Sequence, residues 1–537
     1  MRGADLLAKA LAEAGVKTVF SLSGNQIMPV YDAFLDAGIR LHHTRHEAAA
    51  GYMADAWAQV TGQVGIQLIT AAPGFANALS PLYSARMAES PMVMLSGDSP
   101  RGQDGMGAFQ ELDQVAMSAP VTKLSFRARN AEGLGHDIAR AIRTALSGRP
   151  GPVHLALPFD VLNADASKGS VPGAEAFKPE IAAPDGGLTG AAIEALKGAQ
   201  RPVVITGPAL NASRAARAWK GGLDALADAL DAPVIAMESP RGLGDPSLGA
   251  VSKVLAEADV IVSLGKSFDF TTGFGRPPAM AEGARFVVLD PEAAELERAR
   301  RALGKRLAVA GPADSVAAAR TLLKANIGDK RAEWRGRVAE AAAKRPDAPK
   351  GKTPMHPAQL CAAVQKVLDA AADPILVVDG GEFGQWAQAC ISAPTRVING
   401  ISGAIGGAVC YAIAAQIARP DATVAILMGD GTAGFHFAEF ETAHRYGANI
   451  LAVIGHDARW NAEYQIQLRD FGENRLNECE LNPTDYGAAA AGFGCHGEMV
   501  DDPADLDAAL ERALGSGKPA CVAVAIEGVP APSGSGH

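Results

Sequence analysis

The sequence predicts an α/β protein made of three domains, each with a parallel β-sheet covered by helices. Short apolar runs rich in β-branched residues alternate with helix-like segments along the chain, which is the pattern of parallel α/β sheets. Two stretches rich in Ala, Gly and Pro interrupt this alternation, and 537 residues are too many for one ordinary hydrophobic core. We therefore predict domains at residues 1–165, 188–340 and 358–528.

Each predicted domain contains runs that fit buried parallel strands. These runs lie at residues 18–20, 65–70, 91–96 and 153–157 in the first domain, at 202–206, 260–264 and 285–290 in the second, and at 375–378, 422–428 and 450–454 in the third. The stretches at residues 163–187 and 341–357 are predicted to be linkers. The tail at residues 529–537, rich in Pro, Gly and Ser, is predicted to be disordered.

Composition argues against several classes of protein. A formal charge of −10 and a pI near 5.6 argue against nucleic acid or an anionic membrane as a partner. No uncharged apolar run of about 18 residues occurs, so no transmembrane helix is predicted, and the N-terminus fits an amphipathic helix better than a signal peptide. The six cysteines include no C-x-x-C pair, so we expect free thiols in the cytoplasm.

Two acidic residues are predicted to meet at neighbouring strand ends. Asp430 follows one strand-like run, in Gly429-Asp430-Gly431-Thr432, and Asp457 follows the next run along the chain. Open α/β sheets bind their ligands at the carboxyl ends of the strands. Carboxylate and main-chain oxygens suit Mg²⁺, which also binds substrate phosphates, and Gly431 allows the backbone to approach a phosphate closely. An ordinary tight turn is the alternative.

This segment resembles the cofactor motif of thiamine diphosphate (ThDP) enzymes, and it is most similar to the branch of acetolactate synthase, benzaldehyde lyase and oxalyl-CoA decarboxylase. The resemblance extends over essentially the whole chain. It implies a pyrimidine-binding domain, a Rossmann-like middle domain and a diphosphate-binding domain. The sequence departs from the family at one point, because His456-Asp457 stands where the family usually has Asn-Asn.

The resemblance assigns the metal and diphosphate contacts. It implies that Mg²⁺ is bound by the carboxylates of Asp430 and Asp457 and by the main-chain carbonyl of Arg459. The remaining residues of the first motif that are implied to contact the cofactor are Gly429, Gly431 and Thr432.

Glu47 opens a predicted helix in Arg45-His46-Glu47-Ala48-Ala49. Judged locally, its carboxylate simply complements the helix dipole. However, the segment resembles the family's His-Glu-x-x-Ala motif, which implies that Glu47 hydrogen-bonds N1′ of the aminopyrimidine. A proton held at N1′ favours the imino tautomer, whose nitrogen takes the proton from thiazolium C2. Residues 73–77 resemble the family's Gly-Pro-Gly-x-x-Asn turn, which implies that Pro73 and Asn77 lie near the pyrimidine.

Two further segments of the third domain resemble cofactor-binding parts of the family. Gly403-Ala404-Ile405-Gly406 is similar to the family's Gly-x-Met-Gly, which implies that Ile405 is the apolar wedge under the bent cofactor. A glycine-rich helix start is the alternative. Residues 381–385 resemble the loop that closes over the diphosphate, which implies main-chain N–H donors at Phe383 and Gly384.

The resemblance also places residues around the substrate. Residues 107–116 resemble an acetolactate synthase segment, which implies that Phe109 is an apolar wall and that Gln110 hydrogen-bonds the substrate. An exposed loop glutamine is the alternative. Trp460 follows the metal motif, at the place where family members carry pocket residues, and Ala462 and Glu463 are expected to face the thiazolium.

Gln26 stands where benzaldehyde lyase carries a pocket histidine. An amide cannot shuttle protons as an imidazole does, so benzaldehyde lyase chemistry in its usual form is disfavoured.

The resemblance implies an enzyme that uses ThDP and Mg²⁺ to make or break a C–C bond next to a carbonyl of a small molecule. Acetolactate synthase-like decarboxylation of a 2-oxo acid, with acyl transfer to an acceptor, is favoured. The alternative is an acyl-CoA substrate, as in oxalyl-CoA decarboxylase or 2-hydroxyacyl-CoA lyase. A hypothesis from another class is a non-catalytic homologue, against which the presence of Glu47 argues.

Two further expectations follow from the resemblance. The middle domain would bind FAD, ADP or CoA in some members, although Lys266 and Ser267 replace the usual Ala-Arg of the relevant loop. Because Glu47 and Asp430 lie on different domains and the family's site forms between subunits, a homodimer is the minimum, and a homotetramer is usual.

Overall fold

The computed structural model describes residues 1–328, 330–349, 353–398 and 400–532. It contains three parallel β-sheets, each flanked by helices. The predicted α/β fold with three parallel-sheet units is therefore confirmed.

The first sheet has six strands in the order β2-β1-β3-β4-β6-β5. Its strands are β1 (Thr18–Ser21), β2 (Arg40–His43), β3 (Gly65–Ile69), β4 (Met92–Asp98), β5 (Leu124–Arg127) and β6 (Pro152–Pro158). The helices around it are α1 (Gly3–Glu13), α2 (Met28–Ala37), α3 (Glu47–Thr61), α4 (Pro73–Asn77), α5 (Leu79–Met87), α6 (Gln114–Ser118), α7 (Leu134–Leu146) and α8 (Phe159–Asn163).

The second sheet has five strands in the order β11-β10-β9-β7-β8. Its strands are β7 (Pro202–Thr206), β8 (Val234–Ala236), β9 (Val260–Leu264), β10 (Arg285–Leu289) and β11 (Leu307–Gly311). Its helices are α9 (Gly186–Gly198), α10 (Ala212–Ala218), α11 (Gly222–Leu230), α12 (Val251–Leu255), α13 (Ala293–Leu303), α14 (Ser315–Leu322) and α15 (Ala332–Ala343).

The third sheet has six strands in the order β13-β12-β14-β15-β17-β16. Its strands are β12 (Pro374–Val378), β13 (Thr395–Ile398), β14 (Thr423–Gly429), β15 (Leu451–His456), β16 (His496–Val500) and β17 (Ala520–Ala525). Its helices are α16 (Pro357–Ala370), α17 (Gly381–Cys390), α18 (Ala408–Ala418), α19 (Asp430–Ala433), α20 (Glu439–Tyr446), α21 (Asn461–Phe471), α22 (Tyr486–Gly492) and α23 (Leu506–Gly515).

Short 3₁₀ turns join many of these elements. They lie at Asn25–Ile27, Arg101–Gln103, Ala119–Val121, Ala174–Phe177, Pro208–Leu210, Gly242–Gly244, Pro246–Leu248, Phe270–Gly275, Gly304–Arg306, Glu473–Arg475 and Pro503–Asp505.

Helices α3 and α18 join the first and third domains through a shared core. Both helices are rich in alanine, so their backbones approach closely, and their buried residues belong to one hydrophobic cluster. The rings of Tyr52 and Tyr411 meet edge to face at 5.5 Å. This packing fixes Glu47, the first residue of α3, relative to the third domain.

The linker predictions hold for only part of the predicted stretches. In the first stretch, Ala166 and Phe177 are buried in the core of the first domain, because apolar side chains within the Pro- and Gly-rich segment cover α1 and α7. In the second stretch, residues 341–343 complete α15, and Met355 is buried beside β17. Residues 350–352 lie outside the described residues.

The tail at residues 529–537 is packed at its beginning, contrary to the prediction. The Val529 carbonyl accepts a hydrogen bond from the Trp386 indole N–H, and Val529 and Ala531 pack against the core of the third domain. Residues 533–537 lie outside the described residues. Among the helices that the structure describes, none is long and apolar enough to cross a membrane. All six cysteines are free thiols.

Candidate active site

A cavity of about 210 Å³ opens at the carboxyl ends of β12, β14 and β15, and we call it the C-terminal cavity. Its wall contains all but one of the cofactor, pocket and metal residues that the resemblance implied in the third domain. These residues are Phe383, Gly403, Ile405, Gly429, Asp430, Gly431, Thr432, Asp457, Arg459, Trp460, Ala462 and Glu463. The exception is Gly384, which follows Phe383 in the first turn of α17. These residues are far apart in the sequence, and they meet because the three parallel strands end at the same edge of the sheet.

Asp430 and Asp457 follow neighbouring strands, because β14 and β15 pair in register up to Gly429 and Gly455. The Asp430 carboxylate, which is 2% exposed, is held by three groups. One oxygen accepts the main-chain N–H of Gly431, and the other lies 2.7 Å from His456 Nδ1 and 2.7 Å from the main-chain nitrogen of Ala458. The carboxylate therefore has a fixed orientation at the strand end.

The two carboxylates repel each other. Burial, followed by the negative charge of Asp430, raises the pKa of Asp457 to about 7. The hydrogen bond to Asp430 raises the pKa of His456. A pair of crowded carboxylates beside main-chain oxygens is a donor set that suits a hard divalent cation, whose charge would relieve the repulsion. The residues present therefore fit the implied Mg²⁺.

The walls of the C-terminal cavity are tightly packed where a phosphate would approach. A Cβ atom on Gly431 would lie 2.7 Å from the Trp460 ring, and a Cβ on Gly384 would lie 2.1 Å from the carbonyl of Asp379. Residues 381–385 form the first turn of α17 rather than a loop. Their free N–H groups thus belong to a helix N-terminus, which is a favourable place for a phosphate.

The segment that carries Ile405 is anchored by two buried side chains. Asp379, directly after β12, accepts the main-chain N–H groups of Gly406 at 2.8 Å and Ala408 at 3.1 Å. His436 Nδ1 lies 2.7 Å from the Gly406 carbonyl. Since α18 begins only at Ala408, Ile405 lies in a loop before the helix, half-buried at the cavity wall.

The first domain brings Glu47 and Asn77 together. Glu47 begins α3, whose N-cap is His46, and its carboxylate accepts a hydrogen bond from the Asn77 amide at 3.0 Å. Gly74, in the same short helix as Pro73 and Asn77, lies close to Glu47, since a Cβ there would be 3.2 Å from the carboxylate. Pro73 and Asn77 are exposed, so this group faces outward in the single chain.

Gln26 and Gln110 also meet, although 84 residues separate them. The Gln26 amide nitrogen donates to the Gln110 side-chain oxygen at 2.7 Å, while its oxygen accepts the Thr70 hydroxyl at 2.8 Å. Phe109 is 74% exposed, so it forms no wall within the chain. Phe109 thus lies on an outward face of the first domain, Gln110 is half-buried, and Gln26 is buried beside it.

The two groups of predicted residues do not form one pocket within a single chain. The C-terminal cavity is lined by Arg241 from the middle domain and by residues of the third domain, whereas Glu47, Gln26 and Gln110 are not in its wall. The C-terminal cavity and the group around Glu47 therefore each contain only part of the active site that the resemblance implies.

A crevice at the strand ends of the middle domain is lined by both acidic and basic side chains, among them Glu89, Arg149 and Lys266. Arg149 extends from the first domain and forms ion pairs with Glu89, at 2.6 Å, and with Asp290, which follows β10. Glu89 also accepts the main-chain N–H of Ala209, just after β7, at 2.8 Å. Lys266, which follows β9, is fully buried, and burial lowers its pKa to about 8.

Sequence reasoning missed residues that the structure places at the site. Arg241 lies in a Gly- and Pro-rich turn of the middle domain and reaches the C-terminal cavity, where Glu382 of α17 also lies. Asp379 was missed too, although its position directly after a strand is the signal that singled out Asp430. Nothing in the sequence around Arg241 links it to the third domain.

Comparison with known proteins identifies the same three units. Residues 1–117 match the model of the thiamine pyrophosphate enzyme N-terminal TPP binding domain. Residues 189–319 match the central domain of these enzymes, and residues 379–524 match their C-terminal TPP binding domain. Thiamine pyrophosphate is another name for ThDP.

Curated relatives match the chain over nearly its full length. A probable acetolactate synthase of Mycobacterium bovis is 33% identical, over 98% of this chain and 95% of the relative. The catabolic acetolactate synthase of Raoultella terrigena is 30% identical over the same shares. Human 2-hydroxyacyl-CoA lyase 2 is 29% identical, over 93% of this chain and 85% of the relative. The chain thus belongs to the thiamine diphosphate-dependent enzyme family.

Proposed function

We propose that this enzyme uses ThDP and Mg²⁺ to decarboxylate a 2-oxo acid and to transfer the acyl group to an acceptor, as a carboligase of the acetolactate synthase type. Three curated relatives that this chain matches over at least 94% of their length are named acetolactate synthases, and this supports the reaction. The six free thiols favour the cytoplasm as its location.

The observation that carries the proposal is the arrangement of the C-terminal cavity. Asp430 and Asp457 would hold Mg²⁺ together with the Arg459 carbonyl, and the first turn of α17 would bind the diphosphate. Ile405 would support the cofactor from below. When bound, ThDP supplies the electron sink for C–C bond cleavage.

Glu47 would hold the proton at the aminopyrimidine. Glu47 begins a helix, and its carboxyl group is oriented by Asn77. When protonated it can donate to a ring nitrogen placed against it, and when ionised it can accept from the protonated nitrogen. Because Glu47 and the C-terminal cavity are separate within one chain, we propose that a second copy supplies the missing half. The active unit would be a homodimer at least, and a homotetramer in keeping with the family.

An acyl-CoA-handling lyase is the second candidate. The observation in its favour is the 29% identity to human 2-hydroxyacyl-CoA lyase 2 over 93% of this chain. A non-catalytic homologue is less well supported, because Glu47 and Asp430 are both held in place by hydrogen bonds and Asp457 lies in the same cavity as Asp430.

We propose that the middle domain holds no flavin. At its strand ends, Glu89 accepts the main-chain N–H of Ala209, and Glu89 and Asp290 pair with Arg149, so an incoming pyrophosphate would meet the charges of these two carboxylates. Protein denatured after purification should release no compound that absorbs near the flavin maximum. Release of a stoichiometric flavin would contradict this part of the proposal, and release of CoA would favour the second candidate.

The reaction is tested with a panel of 2-oxo acids, aldehydes and 2-hydroxyacyl-CoA compounds. We expect CO₂ and an acyloin or acetohydroxy acid from 2-oxo acids, only in the presence of ThDP and Mg²⁺, and loss of product after EDTA treatment. Calorimetry should show ThDP binding that requires Mg²⁺. Turnover of the acyl-CoA compounds alone would favour the lyase, and absence of ThDP binding would refute both candidates.

The second copy is tested by mixing two inactive variants. Glu47→Gln removes one half-site and Asp430→Asn the other, so a dimer containing one subunit of each keeps one intact site. Refolding an equal mixture should restore about a quarter of the wild-type activity, because half of the dimers are mixed and each holds one of two sites. If both halves come from one chain, the mixture stays inactive.

A further inference from the structure

Two cysteine thiols outside the candidate active site face each other between α16 and α17. Cys361 lies in α16, and Cys390 is the last residue of α17. Their side chains form a hydrogen bond with each other. Cys361 is fully buried in the core of the third domain, whereas Cys390 packs against that core and is half-buried. An accessible thiol beside a second thiol is typical of redox-sensing cysteines.

A second contact fixes the two helices beside this thiol pair. Gln365, one turn after Cys361, accepts the main-chain N–H of Ser392 at 2.8 Å and donates to the Ser392 carbonyl at 3.1 Å. Residues four apart in a helix lie on the same face. The face of α16 that carries Cys361 and Gln365 therefore packs against the end of α17, and the fold holds the two thiols in position.

The two thiols differ in reactivity. The hydrogen bond with Cys361 lowers the pKa of Cys390 against the effect of its partial burial, and the charge of Arg345 lowers it further. Burial raises the pKa of Cys361. The thiolate is the form that attacks an oxidant, and a half-buried sulfur can meet one. Cys390 is thus the attacking thiol, and Cys361 is the resolving thiol.

We propose that Cys361 and Cys390 are a redox-sensitive pair that hydrogen peroxide closes to a disulfide. The Cys390 thiolate attacks one peroxide oxygen, the O–O bond breaks, the leaving hydroxide takes up a proton to become water, and Cys390 becomes a sulfenic acid. The Cys361 sulfur then attacks the Cys390 sulfur, the S–O bond breaks, and the leaving hydroxide takes the Cys361 proton. Two electrons pass from the thiols to the peroxide, which is reduced to two molecules of water.

The disulfide acts on the opposite end of α17. Two bonded sulfur atoms lie closer together than two in hydrogen-bond contact, so the bond draws Cys390 towards α16. The first turn of the same helix lines the C-terminal cavity, where Gly384 is packed against the carbonyl of Asp379. The helix cannot shift without disturbing that wall. We therefore expect oxidation to weaken ThDP binding, and this consequence, unlike the disulfide itself, rests on the proposed function.

Peptide mapping of the full-length enzyme tests the thiol pair. The enzyme is treated with hydrogen peroxide, alkylated after denaturation and digested for mass spectrometry. We expect a peptide pair joined through Cys361 and Cys390, about 2 Da lighter than the two thiol peptides because two hydrogen atoms are lost, and its disappearance after dithiothreitol. Cys361→Ser should leave Cys390 as a sulfenic acid that dimedone labels. Alkylation of both thiols to the same extent as in untreated enzyme overturns the proposal.

Cys495→Ser is the matched control. Burial raises the pKa of Cys495 to about 11, and its thiol donates to the Phe440 carbonyl at 3.4 Å, a hydrogen bond that a serine hydroxyl can keep. This variant should form the linked peptide to the same extent as wild type. Oxidation of Cys495 as readily as of Cys390 in the wild type also overturns the proposal, because the contact between the two thiols then gives no selectivity.

Calorimetry in Mg²⁺ compares ThDP binding before and after oxidation. We expect the disulfide to weaken ThDP binding at least about fivefold, the lower end of the usual coupling between two sites, and dithiothreitol to restore it. Cys390→Ser should bind ThDP equally well before and after peroxide. An unchanged affinity in the oxidised wild type overturns the link to the cofactor. Reduced enzyme that binds no ThDP refutes the proposed function and that link, while the linked peptide decides on the thiol pair by itself.

Discussion

His154 is a buried side chain that packs below the short helix α4. Its ring nitrogens lie 2.8 Å from the Ser96 hydroxyl and 2.9 Å from that of Ser118, and its ring packs on Phe75 at 5.0 Å. Phe75 belongs to the short helix that carries Asn77. Burial lowers the pKa of His154 to about 3, so the ring is neutral in the folded protein at pH 5.

Acid should therefore destabilise the fold through His154. Below the unfolded pKa of about 6.5 the unfolded chain takes up a proton that the folded chain does not, so stability falls as the pH drops from 6.5 towards 3. The loss at pH 5 should be about 2 kcal/mol from this group. Urea unfolding at pH 7 and pH 5 measures it. His154→Gln should be less stable at pH 7 but lose less on acidification, and an equal loss in both proteins would contradict the account.

Single contacts show what sequence could and could not predict. Asp430 and Asp457 were predictable because strand ends in a parallel sheet lie side by side. The hydrogen bond between Gln26 and Gln110 was not, because two loops far apart in sequence meet only through tertiary packing. The position of Arg241 was not predicted for the same reason, since this middle-domain residue lines a cavity of the third domain.

The short helix α19 depends on the absence of a side chain at Gly431. The Trp460 ring, at the start of α21, occupies the space where a Cβ on Gly431 would lie. Gly431→Ala must push the ring away and should weaken ThDP binding at least about 10-fold, because the cavity wall shifts by the size of a methyl group. Calorimetry with Mg²⁺ measures this change.

Gly434→Ala is the control for this prediction. Gly434 ends the same helix with ordinary helical dihedrals, and a Cβ there would meet its nearest atom at 3.6 Å, an ordinary contact. Its ThDP affinity should equal that of wild type. Equal affinities in Gly431→Ala and Gly434→Ala would show that the close approach of Trp460 has no role in the site.

At the level of elements, the strands were predicted well and the helix starts less well. Apolar β-branched runs predicted the positions of β12, β14 and β15, because a parallel strand that is buried on both faces consists almost entirely of such residues. The first turn of α17 was predicted to be a loop, because residues 381–385 resemble the family's loop that closes over the diphosphate. The helix forms because it packs on β14 and because Gly384 fits closely against Asp379.

The first and middle domains are held together by a buried ion-pair cluster around Arg149. The Arg149 side chain is 17% exposed, its partner Glu89 6% and its partner Asp290 1%. Removing the guanidinium would leave two buried carboxylates without a counter-charge. Arg149→Met should therefore lower stability by about 3–5 kcal/mol, the range for a broken buried pair, seen as a lower thermal midpoint in calorimetry.

Arg298→Met provides the comparison. Arg298 pairs with Glu295 one turn away on an exposed face of α13, and its side chain is 46% exposed. Such a pair contributes about 0–1 kcal/mol, so the thermal midpoint should hardly change. Similar midpoints for the two variants would mean that the Arg149 cluster does not hold the domains together.

The whole molecule explains why the family resemblance identified site residues that one chain does not assemble. Strand-end motifs are local and can be read from the sequence, whereas the relative position of the domains depends on surfaces such as the α3–α18 contact and the Arg149 cluster. In the proposed function, the outward-facing group around Glu47 and the C-terminal cavity would be complementary halves, and their union across two copies would be a property of the assembly.

Deuterium exchange at thiazolium C2 of bound ThDP tests the central claim most directly. Glu47 is assigned to hold the proton at the aminopyrimidine, so Glu47→Gln should slow this exchange at least about 100-fold, the lower range for general acid–base catalysis. The ThDP affinity in Mg²⁺ should stay close to that of wild type, because Asp430 and Asp457 are untouched. Exchange as fast as in wild type would contradict the assignment of Glu47.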